Sequence, residues 1–364
     1  VIDELLLRNN LELIKNVKEA AAIDVLVSLK AFSNWGLFPI FKEYGFGASA
    51  SSLNEARLAF EELGVKAHTY SPAFADSQIA DILKFSSHIS FNSINQLQKY
   101  LEITSQHGVS IGLRVNPEFS DSPYDLYNPC QPGSRLGVTA EQLGDALPHG
   151  VEGLHFHTLF EADSRALEKV LAVFVKKFGK FLPKLRWVNM GGGHLITKKD
   201  YDRSHLIKLL IDFKKTYHVE VRLEPGSAFT YRSGYLVSTI LDIVENGGIK
   251  TAILDVSFTC HMPDCLEMPY QPAILGATNA RAGKPTYRMG GMSCLAGDFM
   301  GDWSYDKELK IGDRIIFDDM IHYTTVKTTM FNGVPHPSIG IWSKNQRFRL
   351  IKEFNYQDYK NRLS

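Results

Sequence analysis

A chain of 364 residues, 44% of them hydrophobic, is long enough for two domains or for a barrel with a smaller partner, and it buries a large core, which excludes disorder. Its 40 basic and 40 acidic side chains cancel, so no net charge draws it to nucleic acid or to an anionic membrane. No apolar run reaches the roughly 18 residues of a membrane span, and four cysteines (Cys130, Cys260, Cys265, Cys294) without a C-x-x-C pair form neither a disulfide scaffold nor a structural zinc site and fit a reducing cytoplasm.

The opening VIDELLLRNN lacks the charged-then-apolar order of a secretory signal. A first residue of Val rather than Met fits a short missing N-terminal piece. Leu7, Leu11, Ile14 and Val17 recur at spacings of four, three and three, which predicts an amphipathic helix over 5–20.

Short apolar or β-branched runs then end in polar residues or glycine. They are VLVSLK (25–30), GASAS (47–51), KAHTYS (66–71), HISFNS (88–93), IGLRVN (111–116), GLHFHT (153–158), WVNMG (187–191) and VRLEPG (221–226). Segments with helical periodicity, such as 51–64 and 164–182, lie between them. Strands alternating with helices pair in parallel through crossovers, and eight such repeats predict a closed (β/α)8 TIM barrel; an open doubly wound sheet is the alternative. After residue 235 the rhythm changes. The stretches 235–245, 249–258, 285–293, 313–320 and 321–329 read as strands of an antiparallel β domain, so the domains are expected at 1–234 and 235–364.

In such a barrel the site lies at the C-terminal strand ends. Lys30 closes the first run, where an amine facing the mouth is a nucleophile toward an aldehyde; a solvated lysine is the other reading. Glu224, in Glu-Pro-Gly, needs a partner if buried: a protonated ring nitrogen, an ion pair with Arg114 at the end of run five, or both. Gly191, Gly192 and Gly193 offer backbone N–H groups near strand seven, where barrels often hold phosphate. His155 and His157 share the inward face of run six, opposite Phe156, and fit metal binding, ring stacking or plain core packing. A glycine-flanked Cys294 and Asp298 mark a functional loop in the second domain. The acids Asp264, Glu267, Asp298 and Asp302 suit a cationic substrate.

SLKAF with Lys30, LHFH with His157, NMGGG at 189–193, EPG at 224–226, GGMSCLAGD at 290–298 and IHYT with Tyr323 occur in one order across nearly the whole chain. In this the chain resembles the fold-type III pyridoxal-phosphate-dependent decarboxylases, relatives of alanine racemase that include ornithine, arginine and diaminopimelate decarboxylases. LKAFSNWGLFPIF, SASSLNEARL, LHFHTLFE and SFTCHMPDCLEMPYQP are similar to the carboxynorspermidine (carboxyspermidine) decarboxylase branch. The resemblance implies a decarboxylase of carboxylated polyamines with pyridoxal 5'-phosphate as cofactor. It implies that Lys30 holds the cofactor, His157 stacks on its ring, Glu224 pairs with the ring nitrogen, and Gly191, Gly192, Gly193 and Tyr323 hold the phosphate. Cys294 would enter from the other subunit of a homodimer and protonate the substrate carbon, with Lys30 as the rival acid, while Asp298 and Asp264 would meet distal amines. Sister enzymes have Arg after Glu-Pro-Gly; Ser227 stands here, which argues against the ornithine, arginine and diaminopimelate types. An alanine-racemase-like enzyme on the same scaffold and a non-enzymatic cofactor-binding protein are the competing readings. The residues after Gly234 argue against the latter.

Overall fold

The computed structural model describes residues 1–122 and 124–364. They form two compact units, one of Asn9–Phe229 and the other of Val1–Arg8 with Thr230–Ser364. The helix Glu4–Ala21 forms where the apolar spacing places it, with Leu7, Leu11, Ile14 and Val17 buried.

Eight parallel strands close into a barrel in chain order: Asp24–Ser28, Gly47–Ala50, Ala67–Tyr70, Ser86–Phe91, Ser110–Arg114, Gly153–His155, Trp187–Asn189 and Glu220–Leu223. The eighth pairs back onto the first through Asp24↔Arg222 and Val25↔Leu223, which excludes the doubly wound alternative. Small residues in these strands match bulk in their neighbours. Gly47 makes room for Leu26, whose Cδ2 lies 2.5 Å from where a Cβ would stand. Gly112 and Gly153 flank Trp187, and a Cβ on either would overlap its indole. Trp187 is 1% exposed and donates its Nε1–H to Ser110 Oγ at 2.9 Å, with His68 and His88 edge-on to the ring. As the first residue of its strand, Trp187 plugs the N-terminal end of the barrel. That leaves the C-terminal strand ends as the mouth.

Helices cover the outside. Ser164–Phe178 starts at Asp163, whose carboxylate accepts from the N–H groups of Arg165 and Ala166, and it buries Leu167, Val170, Leu171, Phe174 and Phe178 on one face. Phe156 points outward onto Phe174, ring centroids 4.7 Å apart, so its neighbours His155 and His157 turn inward. Leu53–Leu58 is α-helical and then widens into π turns over Ala59–Leu63 before Gly64 ends it at φ 80.

The second unit holds a six-stranded sheet in the order Thr278–Asn279, Phe299–Ser304, Thr286–Gly290, Ile249–Leu254, Tyr235–Asn246, Arg314–Asp318. Its pairs are antiparallel except Ile249–Leu254 with Thr286–Gly290, which run parallel. Buried Tyr287, Trp303, Phe258 and Phe317 lie in its core. A smaller sheet pairs Ile2–Asp3 in parallel with Ile339–Trp342, which runs antiparallel to Phe348–Lys352. The strand expected over 321–329 does not form. Its β-branched residues suit a strand, but Asp319 at φ 60 and Tyr323 at φ 52 turn the chain out of the extended region.

Candidate active site

The ends of strands one, six, seven and eight are knit together by the backbone. Ser28 N–H donates to Pro225 O at 3.3 Å, Glu224 N–H to Gly191 O at 2.7 Å, and Phe156 N–H to Asn189 O at 2.9 Å. This holds Lys30, His157, Gly191–193 and Glu224 at one mouth. Lys30 Nζ lies 3.5 Å from His157 Nε2. His157 Nδ1 accepts from Gly192 N–H at 2.9 Å, so the neutral ring carries its proton on Nε2, facing the amine. Burial, then the charges of Lys30 and Arg114, keep His157 well below the usual imidazole range. Lys30 opens to solvent at the mouth. Even so, the protein crowded round its amine, then the Arg114 guanidinium, push it below the ordinary lysine value, against the pull of Glu224 and Glu55. An amine of lowered basicity is more often unprotonated near neutral pH, and only the free amine attacks an aldehyde.

Glu224 anchors a polar chain running down the barrel. Its Oε1 accepts from Asn189 Nδ2 at 2.6 Å; the same amide nitrogen lies 3.2 Å from His68 Nδ1, and His68 Nε2 lies 2.8 Å from Ser90 Oγ. Asn189 Oδ1 accepts from Gly191 N–H at 2.9 Å, so one side chain fixes both the carboxylate and the glycine turn. Burial raises the Glu224 carboxyl above its ordinary value, opposed first by the Asn189 bond and then by Lys30 and Arg114. His155 is core. It is 1% exposed, edge-on to Tyr70 and His68, and 3.9 Å from Glu224 Oε2. Among the described residues no cluster suits a metal ion.

Two expectations change here. The N–H groups of Gly191 and Gly192 orient side chains, so of the triplet only that of Gly193 has no protein acceptor among the described residues. Glycine is required there by close approach. A Cβ on Gly191 would stand 2.5 Å from Phe156 O, and one on Gly192 or Gly193 would overlap the carbonyl oxygen of Glu224 or Leu159. Arg114 forms no ion pair with Glu224: its Nη2 donates to His157 O at 3.3 Å and its guanidinium lies over Tyr70, 4.5 Å from the ring centroid. It acts on the carboxylate only through its field.

The second unit places the other expected residues. Cys294 is exposed on the loop between the strands Thr286–Gly290 and Phe299–Ser304. Asp298, expected to face a substrate amine, is instead 4% exposed with both oxygens engaged, Oδ1 by Thr259 N–H at 3.0 Å and Oδ2 by Ser293 N–H at 3.1 Å. Asp264 and Glu267 are also not open acids. Both pair with Lys327 Nζ, Glu267 at 2.6 Å. Asp302 pairs with Arg288 at 3.0 Å. The Tyr323 carbonyl accepts from Lys327 N–H at 2.9 Å, closing the turn that presents this lysine.

The barrel residues fit pyridoxal phosphate. They supply an amine of lowered basicity for its aldehyde, a neutral imidazole beside it, and a buried carboxylate that gains from a protonated ring nitrogen. Three residues that bond or bias the expected site residues were missed in the sequence. Asn189 opens the NMGGG run, but nothing along the chain ties it to Glu224. Glu55 accepts from Ser51 N–H at 2.6 Å, its own N–H donates to Ser52 Oγ, and its charge is felt by Lys30 from a segment read only as helical. Asn332 bonds the Cys294 N–H at 2.7 Å from 38 residues away.

The sequence model described as "Pyridoxal-dependent decarboxylase, C-terminal sheet domain" matches residues 70–321. Carboxyaminopropylagmatine decarboxylase of Synechocystis is 48% identical over 364 residues, covering 100% of this chain and 94% of that protein. Carboxynorspermidine/carboxyspermidine decarboxylase of Campylobacter jejuni is 44% identical, over 99% of this chain and 96% of that protein. The crystal structure of Campylobacter jejuni carboxynorspermidine decarboxylase complexed with norspermidine superposes with a TM-score of 0.92 at 42% identity, over 100% of this chain and 98% of that one. A diaminopimelate decarboxylase structure at 19% identity and TM-score 0.82 shares the fold. The chain therefore belongs to the family of pyridoxal-dependent decarboxylases, carboxy-lyases that join a TIM barrel to a C-terminal sheet domain.

Proposed function

We propose that this enzyme decarboxylates carboxynorspermidine and carboxyspermidine to norspermidine and spermidine. The observation that carries the reading is the joint presence of Lys30, His157 and Glu224 at one barrel mouth in a chain 44% identical over nearly its whole length to a protein named for that reaction. The relative at 48% identity favours a second reading, a substrate ending in the guanidino group of agmatine.

Pyridoxal phosphate, when bound, takes up the electron pair left as CO2 departs. Lys30 is the amine that holds it. His157, held in one tautomer by Gly192, would support the ring. Glu224 holds the proton at the ring nitrogen, and Asn189 keeps the carboxylate aimed there. With Ser227 in place of an arginine, neutral donors such as the Gly193 N–H would hold the phosphate. Cys294 gives its S–H proton to the carbon that lost CO2; the thiolate then takes a proton from water.

A homodimer with shared active sites is part of the proposal. Met292, Leu295 and Phe299, 40%, 47% and 42% exposed, lie within five residues of Cys294 along the chain and offer apolar surface that a second copy would cover. A cytoplasmic location fits four free cysteines. No helix among the described residues is long and apolar enough to cross a membrane.

The test is CO2 release from carboxynorspermidine, carboxyspermidine, carboxyaminopropylagmatine, diaminopimelate and ornithine in competition. Two charge-assisted contacts to the distal groups, about 1.5–3 kcal/mol each, should favour the polyamine acids by a hundredfold or more, on the order of the contacts' sum. Preference for diaminopimelate or ornithine overturns the proposal. Preference for the guanidino substrate selects the second reading.

A further inference from the structure

We infer that Asn332 and Asp298 form a two-point clamp that positions the Cys294 thiol, resting on the proposed role of Cys294 as proton donor. Two successive amides of the loop are pinned by side chains. Ser293 N–H donates to Asp298 Oδ2 at 3.1 Å, and Cys294 N–H donates to Asn332 Oδ1 at 2.7 Å. Asp298 is itself fixed. Its Oδ1 accepts from Thr259 N–H at 3.0 Å, its carbonyl from Gly291 N–H at 2.7 Å, and its N–H donates to Leu295 O at 2.9 Å. A Cβ on Gly291 would stand 2.5 Å from the Asp298 Cγ, so the glycine lets the carboxylate in. No hydrogen bond among the described residues holds the Cys294 sulfur, which makes the backbone clamp what sets its direction.

Asn332 satisfies two demands at once. It lies at φ 55 in the turn Phe331–Gly333, a left-handed conformation that asparagine tolerates better than most residues, and it carries a short acceptor. The turn is tied down by Thr329 N–H to Cys260 O at 2.9 Å and by Cys260 Sγ to Phe331 O at 3.7 Å. Glycine at 332 would keep the backbone and lose the acceptor. Aspartate would keep both. The pair of variants separates the hydrogen bond from the fold of the turn.

The experiment uses the full chain loaded with cofactor. In Asn332→Gly, amide hydrogen exchange at Cys294 should quicken by up to about tenfold, the worth of one net hydrogen bond, and Asn332→Asp should restore the protection. Turnover in Asn332→Gly should fall about tenfold with KM nearly unchanged. In D2O, deuterium at the carbon that lost CO2 should lose its stereochemical purity. In a Cys294→Ala background the same Asn332→Gly change should add nothing. Unchanged exchange, or an equal loss with and without Cys294, overturns the clamp. Full turnover in Cys294→Ala alone overturns the proton-donor reading, a separate result.

Discussion

Asn189 Nδ2 stands 2.6 Å from Glu224 Oε1, and the other end of the same amide accepts the Gly191 N–H. A single neutral side chain thus couples the aim of a buried acid to the backbone turn beside it. Asn189→Leu is expected to keep the barrel folded but free Glu224 to rotate. The cofactor's absorbance band should shift or weaken, and turnover should drop on the order of a hundredfold. An unaltered spectrum and rate would remove Asn189 from the site.

Lys30→Ala is expected to abolish the yellow absorbance and to cut turnover at least about a thousandfold. Spectrophotometry of the purified variant after dialysis against cofactor checks it. A persistent band would assign the cofactor amine elsewhere.

Glu224 titrates above its ordinary value in the fold. Between pH 4.5 and that raised value the native protein binds the extra proton, so the cofactor-free protein loses stability as pH rises through the window. Glu224→Gln should flatten this slope while weakening turnover of the loaded enzyme by a hundredfold or more, on the order expected for a lost general acid or base. Urea midpoints from pH 4.5 to 8 show the slope; identical curves for the two proteins would contradict it.

The buried imidazole of His194 has the opposite dependence. Burial lowers it to about 4, and His68, His155 and His157 shift the same way. Between pH 4 and 6.5 the unfolded chain binds protons that the native chain refuses, so stability is full above pH 6.5 and falls on acidification. The slope is about 1.4 kcal/mol per pH unit for each fully buried group. His194→Leu should make the acid limb shallower. A native protein as stable at pH 5 as at pH 7 would show these rings charge freely.

Gly193 has φ 84, and a Cβ there would overlap Leu159 O; Gly276 has φ 78 with open space around it. Gly193→Ala is therefore expected to destabilise by about 1–3 kcal/mol more than Gly276→Ala, since only the first adds overpacking to strain. Denaturant midpoints of the two variants measure the difference.

Strand ends were legible because a period-two run followed by one polar residue has one meaning in a closed barrel. Lys30, His157 and Glu224 all follow from that rule. Partnerships were not legible. Arg114 looked like the counter-ion of Glu224 because both end inward-facing strands, yet its guanidinium found Tyr70 and a carbonyl closer. Asp264 and Glu267 read as open acids because Lys327 lies about 60 residues away along the chain. Asp298 read as a ligand because nothing along the chain shows that its carboxylate serves the amides of Ser293 in its own loop and of Thr259, 39 residues away. The Thr-rich 321–329 stretch has strand composition, and only the left-handed Asp319 and Tyr323 reveal why it turns.

The sheet unit is discontinuous: residues 1–8 belong with residues 230–364, and Ile2–Asp3 adds a strand beside Ile339–Trp342. During synthesis that first strand emerges long before its partner. At about 5–20 residues per second the wait is on the order of tens of seconds. Val1–Asp3 meet a first backbone partner at Ser233–Tyr235, where Asp3 N–H bonds Ser233 O and Tyr235 N–H bonds Val1 O, while the parallel strand beside them is still to come. A nascent chain stalled before residue 339 would therefore hold its first strand by Ser233–Tyr235 alone, with the small sheet of Ile2–Asp3, Ile339–Trp342 and Phe348–Lys352 unfinished.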